Sequence, residues 1–175
     1  MPFAENSPDP EGEFPLATPE YLFYLLFQID RQRDVAFEPL LQRHGLALHD
    51  WRTLSIIRRL EGCTMKTLAI YSTIDRTTLT RTVDQLVAAG LVARITPPND
   101  RRKVSLSLTE AGDAMHAKAV AELIAFNRLT LKALSPTRQR EVTRALKTIL
   151  SAVVPDPALA QDLLTYGRTD SSGRL

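Results

Sequence analysis

Apolar residues recur at helical spacing through most of the chain and give way once to two short runs rich in Val, Ile, Leu and Thr. The first helical pattern opens at Thr18, a plausible N-cap, with Pro19 at the first helical position. Leu22, Leu25, Leu26, Ile29, Ala36, Phe37, Leu40 and Leu41 follow this spacing, Pro39 should kink the helix, and Gly45 should stop it. "HDWRTLSIIRRLEG" predicts a second helix with Trp51, Leu54, Ile57 and Leu60 on one face and Gly62 at its end. "TMKTLAIYS" predicts a short third helix capped by Thr64, with Leu68 and Ala69 facing inward. "IDRTTLTRTVDQLVAAG" predicts a fourth, with Asp75 at its start, Leu79, Val83, Leu86 and Val87 inward, and Gly90 past its end. Strands are expected near 91–96 and 104–109. Thr109 then caps a fifth helix to about Ala133. Ser135 and Pro136 open a sixth, whose stripe is Val142, Leu146, Ile149, Leu150 and Val153. "DPALAQDLL" adds one or two turns. Residues 1–17, with four prolines, read as a flexible arm, and "GRTDSSGRL" reads as a frayed tail.

Helix–helix–helix–strand–strand is the order of a winged helix-turn-helix, so the expected fold is mainly α with a small β wing. The fourth helix carries Arg76, Thr77, Thr78, Thr80 and Arg81 in its first two turns, with no acid after Asp75 until Asp84. Short hydroxyl side chains let a helix approach base edges and thymine methyls, and arginine reads guanine or grips phosphate. A merely solvated face would favour Glu and Lys, which are better helix formers than threonine. The hairpin tip carries Arg101, Arg102 and Lys103, residues that neither a core nor a turn requires and that a narrow, negative minor groove attracts.

Charge strengthens the picture. The net charge is only +2, but residues 51–103 hold ten Lys/Arg against four Asp/Glu, while the remainder is net acidic. Hydrophobic residues make up 44% and charged residues 24% of the 175, as in a soluble globular protein. The acidic N-terminus is unlike a signal peptide, no apolar run reaches membrane-spanning length, and a single cysteine fits a reducing cytoplasm.

Over "TLTRTVDQLVAAGLVARITPPNDRRKVSLSLTEAG" the chain resembles the MarR family of winged-helix transcriptional regulators. The matching pieces are Thr80–Arg81, Leu86 to Val92, Arg94 before the wing, Asp100–Arg101–Arg102, and Leu108 to Gly112. "HGLALHDWRTL" resembles the family's first-to-second helix junction. Ala47 stands where the family often has Ser or Thr, and the tail beyond 155 is longer than a minimal member needs. The resemblance implies a homodimer on a near-palindromic DNA operator. Residues 18–45 and 109–155 would form the helical dimerisation region, 46–108 the winged domain, and 156–175 a partly disordered extension. Asp100 would pair with Arg102 to hold the wing, leaving Arg101 at its tip.

The resemblance further implies a small-molecule effector, such as an aromatic carboxylate or its coenzyme A thioester, bordered by Gln28, Arg31, Leu48, Trp51, Arg52 and Leu123. Arg31 could pair with a carboxylate, although an exposed helix charge is an equal reading, and for Trp51 a core role is favoured. Repression is the favoured mode, though activators share the architecture. Cys63 reads as a buried small hydrophobe rather than a redox sensor. His44, His49 and His116 lack compact metal-ligand spacing, so no metal, cofactor or catalytic residue is expected, and no enzyme motif appears. The rival readings are a cysteine-based redox regulator and a winged helix used only for protein contacts.

Overall fold

The computed structural model describes residues 18–60, 62–96 and 104–165. The chain falls into two compact units, residues 1–39 and 40–175. The arm at 1–17, the hairpin tip at 97–103 and the tail at 166–175 lie outside the described residues.

Helix α1, Pro19–Gln42, runs through Pro39 and supplies the described part of the first unit. Thr18 opens it as expected: its hydroxyl accepts the Tyr21 N–H at 3.3 Å. Leu22, Phe23, Leu25, Phe27 and Ile29 are all exposed on this helix within the single chain, whereas Phe37 is buried.

In the second unit, α2 spans Leu48–Leu60, β1 Cys63–Thr64, α3 Met65–Tyr71 and α4 Arg76–Ala88. Then come β2, Val92–Ile95, β3, Ser105–Leu108, and three further helices: α5, Glu110–Thr130, α6, Pro136–Val153, and α7, Pro157–Thr165. The core is drawn from all the early elements. Leu54 and Ile57 of α2, Leu68 of α3, Leu79 and Val83 of α4 and Leu106 of β3 are each no more than 1% exposed. Burial of this kind contributes roughly 1.5–3 kcal/mol per large aliphatic side chain.

Caps set the element boundaries. Thr64, Asp75, Thr109 and Ser135 are N-caps whose side chains accept from the backbone N–H three residues on, each where the sequence predicts one. Where Ala47 lacks a capping oxygen, Asp50 reaches back and accepts the Ala47 N–H at 2.9 Å, half of a capping box. Gly90 ends α4 at φ 71°, the left-handed conformation that a C′ glycine permits.

The sheet is antiparallel with order β1-β3-β2, so β3 lies in the middle. Val92 pairs with Leu108 and Ile95 with Ser105, while Cys63 pairs with Leu106 on the other edge. Strand β1 was not anticipated: two residues between helices are too few for a period-two pattern to show. Two further expectations need correcting. Ala69 is exposed and only Leu68 of the pair is buried, because the seven-residue α3 presents a single inward position. Helix α5 ends at Thr130, where Leu131 takes the C-cap position, rather than at Ala133. The turns expected from "DPALAQDLL" are present as the nine-residue helix α7.

Candidate nucleic-acid interface

Helix α4 starts at a strong cap. The Asp75 carboxylate accepts the Thr78 N–H at 2.9 Å, and hydrogen bonds from Thr78 hold its pKa below the usual carboxylate range. Beyond this cap, Arg76, Thr77, Thr80, Arg81, Asp84 and Gln85 are exposed and line an open groove together with Ala88. Thr78 is half-buried on the flank. Thr80 donates its hydroxyl proton back to the Arg76 carbonyl at 2.9 Å, which leaves its oxygen only acceptor capacity toward a base edge. Thr82 turns the other way and is buried. Of the predicted recognition residues, Arg76, Thr77, Thr80 and Arg81 therefore share one accessible face, opposite Leu79, Val83 and Leu86, with Thr78 on its flank.

The acid on this face is engaged. Asp84 accepts a salt bridge from Arg94 of β2 at 2.5 Å, which ties the first wing strand to the recognition helix. Both groups are substantially exposed, so screening limits the pair to roughly 0–1 kcal/mol. Its effect is chiefly to offset the negative charge of a carboxylate on this face. The sequence marked Arg94 as family-like but did not indicate its partner, which lies ten positions away across a turn. Asp100, Arg101, Arg102 and Lys103 fall outside the described residues; the hairpin is described up to Thr96 and again from Val104.

On α2, Trp51 is 7% exposed and stacks on His116 of α5, ring centroids 5.1 Å apart and 14° from parallel. Two turns further along α2, Arg58 pairs with Asp113 of α5 at 2.8 Å. These contacts clamp the winged domain to the helix that leaves it. Burial, and secondarily the Arg58 charge, push the His116 pKa down, and Asp113 partly opposes them. His116 was missed as an organising residue because a lone histidine carries no spacing signal. Of the other residues expected to border an effector, Leu48 and Arg52 on α2 and Leu123 on α5 are half-buried. On α1, Gln28 is half-buried and Arg31 is exposed. Cys63 is 5% exposed, and burial raises its thiol pKa against a smaller backbone hydrogen-bond effect, as fits a packed hydrophobe. Among the described residues no group of three or more His, Cys, Asp or Glu could hold a metal ion, and no helix is long and apolar enough to cross a membrane.

The model of the MarR family matches residues 46–104, from the start of the helix-turn-helix through the wing. Over these residues the chain is similar to the MarR family. A MarR-family regulator from Silicibacter pomeroyi superimposes with a TM-score of 0.70 at 28% identity, covering 80% of this chain and 97% of that one. A mutant of Escherichia coli MarR complexed with operator DNA superimposes with a TM-score of 0.65 at 26% identity, covering 74% and 94%. In sequence, the homoprotocatechuate degradative operon repressor of Escherichia coli is 28% identical over 115 residues, 66% of this chain and 78% of the repressor. The structural likeness thus extends beyond residues 46–104.

Proposed function

We propose that this chain is a ligand-responsive transcriptional regulator that binds duplex DNA as a homodimer and represses until a small aromatic acid, or its thioester, releases it. The observation that carries the DNA reading is the face of α4. It offers two arginines and short hydroxyls, its one acid is covered by Arg94, and a wing sheet stands beside it. Arg81 is proposed as the base reader, and Arg76, Thr77, Thr78 and Thr80 as its neighbours at the groove. On the wing, Arg101, Arg102 and Lys103 would meet the backbone or the minor groove, with Asp100 holding Arg102.

Apolar surface left bare in the single chain supports the dimer. Leu129, Val142, Leu146 and Val153 of α5 and α6, and Leu131 and Leu134 of the turn between them, are exposed, as is the aromatic run of α1. A second copy is the expected cover, and its two-fold axis matches a near-palindromic operator. The effector class is supported by the relative named for repression of a homoprotocatechuate degradative operon, homoprotocatechuate being a phenolic carboxylic acid. Exposed Arg31 is the proposed anion anchor. Trp51, already stacked on His116, serves as core.

Two measurements test this. Duplex binding followed across salt concentrations should give a steeply falling affinity; a salt-independent or absent affinity would favour a winged helix used for protein contacts. Calorimetric titration of wild type and Arg31→Ala with benzoates, cinnamates and their coenzyme A thioesters should show binding that Arg31→Ala loses. No binding by any compound refutes the effector class; equal binding by the variant refutes the anchor.

A further inference from the structure

Helix α7 lies along α6 and buries Ala160, with Leu159 and Leu163 half-buried on the same side. Asp156 opens it by accepting the Ala158 N–H at 2.9 Å. Its far end reaches the DNA-binding half of the unit. Arg59 Nη2, at the end of α2, donates to the Thr165 carbonyl at 3.1 Å. The Tyr71 hydroxyl, at the end of α3, donates to the Asp162 carboxylate. Arg59, Leu60, Tyr71, Asp162 and Thr165 line one small cleft.

The position of these anchors matters more than their number. Tyr71 is the last residue of α3, Ser72 is its C-cap, and Asp75 is already the N-cap of the recognition helix. Only Ser72, Thr73 and Ile74 separate the anchored tyrosine from that cap. Arg59 places a cation on a last-turn carbonyl of α7, where unpaired C=O groups and the helix dipole favour it. A nine-residue helix is too short to persist alone, so α7 holds its shape only while these contacts last. Burial, and then the Asp162 charge, raise the Tyr71 pKa above the ordinary phenol value.

Building on the regulator reading, we propose that α7 is a strut fixing the turn of the helix-turn-helix against α6, with Tyr71, Asp162 and Arg59 as positioning residues for DNA binding. With the strut docked, the recognition helix holds one stance. With it released, only a fraction of molecules present the binding stance, and apparent affinity falls by that fraction.

The test compares full-length wild type, Tyr71→Phe, Asp162→Ala and the double variant. Hydrogen exchange without DNA should quicken across residues 70–79 in each variant, while α5 stays protected. Duplex affinity should fall by about three- to tenfold, as expected for one hydrogen bond. The salt slope should be unchanged because no phosphate contact is lost, and the double variant should be no worse than either single one. Unaltered exchange at 70–79 in both single variants overturns the strut. A shallower salt slope overturns it too, by making Tyr71 a DNA contact. If wild type fails to bind duplex DNA, the regulator reading and the positioning role fall together, and the exchange result still decides whether α7 holds the turn.

Discussion

Replacing Gly112 with alanine should destabilise the protein, although the same change in an ordinary helix stabilises it. Gly112 lies in the first turn of α5, where loss of a glycine is worth about 1 kcal/mol in helix propensity. Here a Cβ would stand 2.0 Å from the Leu91 carbonyl oxygen and 3.0 Å from its carbon. Both are backbone atoms, so no side chain can swing aside. That same oxygen accepts the Thr109 N–H at 3.1 Å, and the Thr109 hydroxyl donates to the Gly90 carbonyl at 2.6 Å. Overpacking costs about 1–3 kcal/mol and a weakened hydrogen bond about 0.5–1.5. Set against the propensity gain, the net loss is roughly 0.5–3.5 kcal/mol. Urea denaturation should show a lower midpoint at unchanged slope. A variant as stable as wild type, or more so, would refute the claim that α5 and the approach to β2 touch backbone to backbone.

Three other outcomes are expected. Arg81→Ala should cost about 1–3 kcal/mol in DNA binding and relax preference at one position per half-site; binding selection showing a uniform loss instead would assign it to phosphate. His116 has a folded pKa below its unfolded value, so the unfolded chain takes up the proton first. Stability should therefore be full above about pH 6.5 and fall below it, with a slope of at most about 1.4 kcal/mol per pH unit, and His116→Gln should flatten this dependence in denaturation series. Cys63 should react with a thiol reagent in unfolded protein but only slowly in native protein; rapid native labelling would revive the redox reading.

What was legible in the sequence was local. The cap at Asp75, the inward triad Leu79, Val83 and Leu86, and the Ser135–Pro136 start each reflect chemistry within four residues, and the structure has them all. The candidate recognition face was legible for the same reason, since one helix places Thr77, Thr80 and Arg81 together without help from elsewhere. What escaped was pairing across distance. The Asp84–Arg94 bridge, the Trp51–His116 stack and the grip of Arg59 on Thr165 join separate elements, and no period announces them. Pairing of β1 with β3 escaped similarly, since Cys63 meets Leu106 only after two helices have intervened.

The central place of β3 also imposes an order on synthesis. As the chain emerges from its N-terminus, Cys63 and Thr64 appear about forty residues before Leu106 and Ser105, and until then β1 has nothing to pair with. The Ser105 hydroxyl that reaches the Gly62 carbonyl at 2.6 Å closes this loop. The two helices in between can form on the ribosome from their own caps and apolar faces, but the sheet cannot, because its middle strand arrives last. Loop closure must then be met by contacts distant in sequence, so the wing should be the slowest part of the domain to assemble. A nascent chain stalled before residue 105 would thus carry the candidate recognition helix while lacking the middle strand of the sheet beside it.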